Sequence, residues 1–79
     1  MSFQVYFFGE LVDVCGVAEF VYSGSVPCTV KQFKEELLDE FPALSHHKFS
    51  VASEHSYRNE EDTLESGMEV ALIPPVGGG

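Results

Sequence analysis

Thr29-Val30-Lys31-Gln32-Phe33-Lys34-Glu35-Glu36-Leu37-Leu38-Asp39-Glu40-Phe41-Pro42 is the stretch that decides how this chain is put together. Val30, Phe33, Leu37, Leu38 and Phe41 recur at three- and four-residue intervals, so they share one side of an α-helix. Lys31, Lys34, Glu35, Asp39 and Glu40 line the opposite side. Thr29 and Gln32 have capping-box spacing: the hydroxyl accepts from the N3 amide and the Gln side chain reaches back to the N-cap amide. Pro42 ends the helix near Phe41, because proline restricts the residue before it to extended backbone. A helix with one apolar stripe needs a second layer to bury it against.

The flanking sequence supplies strands. Phe3 to Phe8 alternates, with Phe3, Val5 and Phe7 on one face, Gln4, Tyr6 and Phe8 on the other, and Gly9 as its end. Glu10 to Cys15 reads as a short helix or a turn, stopped by Gly16 in a C-terminal capping position. Glu19 to Ser23 is a second strand, broken at Gly24-Ser25. Beyond the helix, Ala43 to Lys48 reads as a loop and Phe49 to Ser53 as a third strand. Glu54-His55 turns the chain into a short fourth strand at Ser56 to Arg58. Asn59 to Asp62 is polar and belongs to the surface. Thr63 to Gly67 reads as a tight turn or a single helical turn anchored by Leu64. Glu69 to Ile73 is the last strand, with Val70 and Leu72 on one face and Ala71 and Ile73 on the other. The expected fold is α+β: a mixed four- to five-stranded sheet covered on one face by one main helix. Two strands, a helix and further strands in this order form the β-grasp, or ubiquitin-like, pattern. The expected division is a β-grasp domain over residues 1–73 and an extended tail over residues 74–79.

Seventy-nine residues, 44% of them hydrophobic, allow one small core and little room for a deep pocket. Thirteen Asp and Glu against four Lys and Arg give a net charge of −9. That balance disfavours nucleic acid and anionic membrane as partners, since both are bound through Lys and Arg. It favours steering toward a basic protein surface. With no signal peptide or transmembrane run, the chain reads as cytoplasmic. Cys15 and Cys28 lack C-x-x-C spacing and are too few for a four-ligand site, so they read as buried reduced thiols. His46, His47 and His55 have no spaced Cys or Asp companions and read as surface-loop residues, so no metal is expected. Neither a nucleophile elbow nor a phosphate-cradling glycine loop is present.

Two features remain. Pro74-Pro75-Val76-Gly77-Gly78-Gly79 joins a stiff pair of prolines to three residues without Cβ. Fully extended, the segment reaches roughly 20 Å, at about 3.3–3.6 Å per residue. It is either a loose terminus or expression scar, or a thin probe with an uncrowded carboxylate at its tip. The second feature is the sheet face turned away from the helix, where alternation places Tyr6, Phe8, Ala71 and Ile73 and where Tyr57 can join them. Contiguous exposed apolar groups of this kind mark a partner surface.

The chain resembles the MoaD family, the small sulfur-carrying subunit of molybdopterin synthase, over nearly its whole length. The resemblance rests on Tyr6-Phe7-Phe8 followed by Glu10 and Gly16, and on Thr29-Val30 opening the main helix. Its most specific part runs from Gly67-Met68-Glu69-Val70-Ala71-Leu72-Ile73 through Pro74-Pro75-Val76 and, after one residue, Gly78-Gly79. Thiamin-pathway carriers share the fold and the terminal glycines but usually lack the Pro-Pro-Val. Val12-Asp13 stands where the family often has Arg-Glu, and Ala52-Ser53 where it often has Val-Asn.

The resemblance implies that Gly79 is adenylated and then converted to a thiocarboxylate. It also implies that Val76, Gly77 and Gly78 thread a partner's active site, and that Phe8, Tyr57, Ile73, Pro74 and Pro75 contact that partner. The implied partners are the large subunit of molybdopterin synthase (MoaE-like) and an E1-like adenylating enzyme (MoeB-like). The carrier would bind no cofactor; ATP is used by the activating enzyme, and a precursor of molybdopterin accepts the sulfur. It would not be an enzyme on its own. A ubiquitin-like protein modifier conjugated through Gly79, or another pathway's sulfur carrier, is the alternative.

Overall fold

The alternation of Phe3, Val5 and Phe7 becomes strand β1 (Phe3–Phe7), in which these three residues are buried and Gln4 and Tyr6 are partly exposed. The computed structural model describes residues 1–75. After β1 come helix α1 (Glu10–Cys15), strand β2 (Glu19–Tyr22), strand β3 (Cys28–Thr29) and helix α2 (Val30–Glu40). A 3₁₀ turn (Pro42–His46) then leads to β4 (Ser50–Ser53), β5 (Ser56–Tyr57), β6 (Thr63–Leu64) and β7 (Glu69–Ile73). Five strands form one mixed sheet in the order β2-β1-β7-β4-β5. β1 runs parallel to β7 and antiparallel to β2, while β4 is antiparallel to both β7 and β5. This is the expected β-grasp arrangement, with β7 at the centre of the sheet.

One face of that sheet holds the core. Phe33 of α2 meets Phe3 edge-on at 5.4 Å and Tyr22 at 5.3 Å, and Phe3 and Tyr22 stack at 4.8 Å. Leu37 of α2, Leu11 of α1 and Leu44 of the 3₁₀ turn close the same cluster over Val5, Val70 and Leu72. Leu38 and Phe41 form the half-buried margins of the helical stripe. Gly16 ends α1 at φ 80°, its N–H bonded to the Val12 carbonyl, as its capping position requires.

All four free amides at the start of α2 have partners. Thr29 N–H donates to Gln32 Oε1 at 2.9 Å and Gln32 N–H to Thr29 Oγ1 at 3.1 Å, so the capping box is complete. Val30 N–H donates to the Asp62 carbonyl at 2.9 Å and Lys31 N–H to the Glu60 carbonyl at 3.1 Å. The acidic stretch read only as surface is therefore also the second half of the helix cap. Asn59 N–H donates to Asp62 Oδ2 at 2.7 Å and holds that stretch in its turn.

Several local expectations are corrected. Of Thr63 to Gly67 only the second half is the expected tight turn, closed by Met68 N–H on the Glu65 carbonyl at 3.3 Å with Gly67 at φ 84°, whereas Thr63-Leu64 is a short strand pairing antiparallel with Cys28-Thr29. The cap bonds from residues 60 and 62 bring the chain back beside the start of α2, and pairing satisfies the backbone there. Leu64 is nonetheless the buried anchor. Ala43 to Lys48 is not an open loop, because Pro42 starts a 3₁₀ turn that carries Leu44 into the core. The third and fourth strands are shorter than read, beginning at Ser50 and ending at Tyr57. Cys28 is buried as expected, whereas Cys15 is only half-buried. No helix among the described residues is long and apolar enough to cross a membrane.

At the core margin the Tyr22 hydroxyl donates to Glu36 Oε2 at 2.7 Å. Burial first, and then the Glu36 bond, push the phenol well above the ordinary tyrosine range. The unfolded chain therefore loses this proton more readily than the folded one. The stability Tyr22 contributes is complete below a pH of about 10 and is lost as pH rises from there toward the folded value. Urea titrations across this range should show a loss of stability that is smaller in Tyr22→Phe. A second measurement concerns the cap: Thr29→Ala should cost about 1 kcal/mol in the same assay, with an unchanged denaturant slope.

Candidate functional site

The second face of the sheet is assembled by register. Tyr6 of β1 lies opposite Glu19 of β2 and Ala71 of β7, Ala71 opposite Ala52 of β4, and Ala52 opposite Tyr57 of β5. These five side chains form one row across the outward face, because directly paired residues project to the same side. Toward the end where β7 leaves the sheet stand Ile73, paired with Ser50, and Phe8, whose N–H donates to the Leu72 carbonyl at 3.2 Å. Toward the other end stand Gln4 and Glu69, again directly paired.

Phe8 is 50% exposed and Tyr57 69% exposed, whereas Tyr6, Ala52, Ala71 and Ile73 are half-buried. Tyr6, Phe8, Ala52 and Ala71 floor an open depression of about 560 Å³, with Glu54 and Glu69 on its border. The face derived from alternation is thus present, and Tyr57 is on it.

The root of the tail is fitted to this face. Pro74 is half-buried and Pro75 exposed. Gly9 has φ 58° and ψ −137°, backbone that side-chain-bearing residues rarely adopt. A methyl group on its Cα would stand 2.9 Å from Pro74 Cγ. The missing Cβ therefore lets the chain leaving β1 pass directly beside the chain leaving β7. Sequence reading marks Gly9 as a strand end, but no local pattern announces its contact with a proline 65 positions away. Val76, Gly77, Gly78 and Gly79 lie outside the described residues.

Charge on this face is one-sided. The Tyr6 hydroxyl donates to Glu69 Oε2 at 3.4 Å, and Gln4 Nε2 to Glu19 Oε1 at 3.5 Å. Partial desolvation raises the Tyr6 phenol pKa, helped by the negative charges of Glu69 and Glu19. No lysine or arginine occurs in any of the five strands. Elsewhere, Lys34 pairs with Glu60 at 3.8 Å, and Arg58 Nε donates to the Ser53 carbonyl at 3.2 Å.

The histidines are not gathered. His47 Nδ1 lies 3.2 Å from Glu10 Oε2, His46 is exposed in the 3₁₀ turn, and His55 sits at φ 66° in the β4–β5 turn. Among the described residues no three His, Cys, Asp or Glu side chains are placed to share a metal ion. The thiols of Cys15 and Cys28 are both raised by burial. What the described residues build is an uncovered, partly apolar sheet face with Pro74 seated at its edge.

Comparison with known proteins agrees with this architecture. The ThiS family matches residues 5–79. A molybdopterin synthase sulfur carrier subunit of Caenorhabditis briggsae is 31% identical, over all of this chain and 99% of that protein. The crystal structure of the small archaeal modifier protein SAMP1 from Haloferax volcanii matches with a TM-score of 0.85 and 25% identity over the full length of both chains. A chain from the complex of subunits 1 and 2 of the molybdopterin-converting factor of Helicobacter pylori shares the fold, with a TM-score of 0.70 and 24% identity over the full length of both. The chain belongs to the ThiS family and is a small β-grasp sulfur-carrier domain.

Proposed function

We propose that this member of the ThiS family is the sulfur-carrying small subunit of a molybdopterin synthase, acting as co-substrate rather than as an enzyme on its own. The observation that carries the reading is the tail root: the central strand β7 ends in Ile73-Pro74-Pro75 beside Phe8, at the edge of an uncovered apolar face. The named relatives support it, one being a sulfur carrier subunit and another a chain solved in complex with a second converting-factor subunit. In this reading residues 1–73 are the docking body and residues 74–79 the segment it presents.

The chemistry follows from the weakness of a carboxylate as an electrophile. An E1-like adenylating enzyme (MoeB-like) lets a Gly79 carboxylate oxygen attack the α-phosphorus of ATP, and pyrophosphate leaves. A sulfur donor at the hydrosulfide level then attacks the acyl carbon and AMP leaves, giving a C-terminal thiocarboxylate. Inside the active site of the large subunit (MoaE-like), a carbon of a precursor of molybdopterin bonds that sulfur, and water replaces it on the Gly79 acyl carbon, restoring the carboxylate. Glycine at 77, 78 and 79 leaves the acyl carbon uncrowded for both attacks and keeps the segment thin enough for a narrow channel. Phe8, Tyr57, Ile73, Pro74 and Pro75 form the contact with the large subunit, and Val76, Gly77 and Gly78 occupy its channel. All of these steps belong to the cytoplasm.

A second reading, a protein modifier joined through Gly79 to lysine amines, is favoured by the likeness to the archaeal modifier. Intact mass separates the two. Incubation with the adenylating enzyme, ATP and a sulfur donor should add about 16 Da, the replacement of one oxygen by sulfur. Conjugates of higher mass on other proteins, without that product, would favour the modifier.

Two variants test the sites. Extending the chain by one residue after Gly79 should abolish sulfur transfer and leave the unfolding midpoint unchanged; retained transfer would sink the assignment. Phe8→Asp should weaken large-subunit binding by more than about tenfold in titration calorimetry, since it buries a carboxylate in an apolar contact.

A further inference from the structure

The outward face has a polarity along its strands as well as an apolar character. At the end where β7 exits, Phe8, Ile73 and Pro74 are apolar; at the other end stand Glu69 and Glu54, with the exposed Val21 opposite Gln4 on the β2 edge, and Glu19 stands on that edge in the middle row. From Glu69 to Ile73 is four residue steps, about 13 Å along a strand. Glu54 belongs to the same end as Glu69, because it follows Ser53, which pairs with Val70. Glu19 borders the middle row beside Tyr6.

Among the described residues these carboxylates form no ion pair. The five strands contain no Lys or Arg, and the polar bonds of the acidic border run to Tyr6 and Gln4, which are neutral. Tyr6 pairs with Glu19 and its hydroxyl donates to Glu69, and partial desolvation, then the charges of these two carboxylates, raise its phenol pKa. An apolar partner surface laid over the whole face would desolvate three carboxylates without compensation, at a cost that apolar contact does not recover. A partner surface bearing Lys or Arg opposite them turns that cost into directional attraction.

The geometry points to an orienting role for this border: Glu19, Glu54 and Glu69 engage lysine or arginine side chains of the large subunit, so that the carrier docks with its tail end over the apolar part of the contact. This rests on the synthase reading above and adds to it the chemistry of the partner's surface. Docking turned end for end would set Phe8 and Ile73 against cations and the carboxylates against apolar groups. The border thus selects the one orientation that aims residues 74–79 at the partner's channel. Charge acts here on encounter and alignment, while the apolar end supplies the contact area.

The test uses the full chain and the large synthase subunit, with association rate and affinity measured at about 50 and 500 mM NaCl, where screening lengths differ severalfold. The pair Glu19→Lys/Glu69→Lys should slow association by at least about tenfold at the lower salt and flatten its salt dependence. Glu35→Lys/Asp39→Lys makes the same change of net charge on the exposed side of α2, and should slow it by about twofold or less. Glu19→Gln/Glu69→Gln should give an intermediate loss, and it keeps the test valid if the lysine pair disturbs folding. Equal losses from the two faces, or none from the outer face, overturn this inference while leaving the synthase reading intact. A wild-type chain that fails to bind the large subunit at either salt overturns that reading, and this one with it.

Discussion

A five-stranded sheet has two faces, and this chain has apolar residues enough to cover one. Helix α2, helix α1 and the 3₁₀ turn all deliver their buried side chains, Phe33, Leu37, Leu11 and Leu44, to the same core. The opposite face keeps Tyr6, Phe8, Ala71, Ile73 and Tyr57 wholly or partly in solvent. In a domain this small, covering them would take a second layer that the described residues do not supply. The incompleteness is therefore built into the fold, and β7 is where its consequences meet. Val70 and Leu72 of that strand are fully buried, Ala71 and Ile73 face outward, and Pro74 continues directly from it. A tail rooted on the central strand is held by hydrogen bonds on both sides, through β1 and β4. Pulling it free would require breaking the middle of the sheet.

How much of this can be read from the chain depends on whether a feature is periodic. The helical stripe Val30, Phe33, Leu37 and the alternations of β1 and β7 repeat over several residues, so both core membership and the outward set follow from spacing. Gly16 as a cap and Thr29-Gln32 as a capping box are legible because each depends on residue types at fixed offsets. Thr63-Leu64 is not legible, since a two-residue strand has no period and its partner, Cys28-Thr29, is equally short. The bonds from Val30 and Lys31 to the carbonyls of residues 62 and 60 are invisible for another reason: every residue has a carbonyl, so identity says nothing. The same holds at the site. Parity put Phe8 and Ile73 on one face, with Tyr57 able to join them, whereas the seat of Pro74 on Gly9 depends on two distant segments meeting.

Departures from local preference are informative in the β4–β5 turn. Glu54 and His55 both take positive φ, 53° and 66°, where glycine or asparagine would be at less cost. That turn sets the carboxylate of Glu54 at the border of the outer depression. An Asn-Gly pair would make the better hairpin and would remove that charge.

On the proposed reading, a division of labour between body and tail follows from magnitudes. Fixing an extended segment costs roughly 1–2 kcal/mol for each residue ordered. Glycines bring almost no apolar area with which to recover that cost, and glycine is the residue with most freedom to lose. A tail thin enough to enter a narrow channel is thus a poor ligand by itself. Pro74 and Pro75 reduce the loss at its base by restricting the free chain beforehand. The remaining free energy has to come from a surface that is rigid before contact, and the outward face is rigid because its other side is the packed core. On the proposed reading, the docking body and the glycine segment are each insufficient: one binds without reaching the chemistry, and the other reaches it without binding. Joining them through β7 lets the energy of one be used by the other.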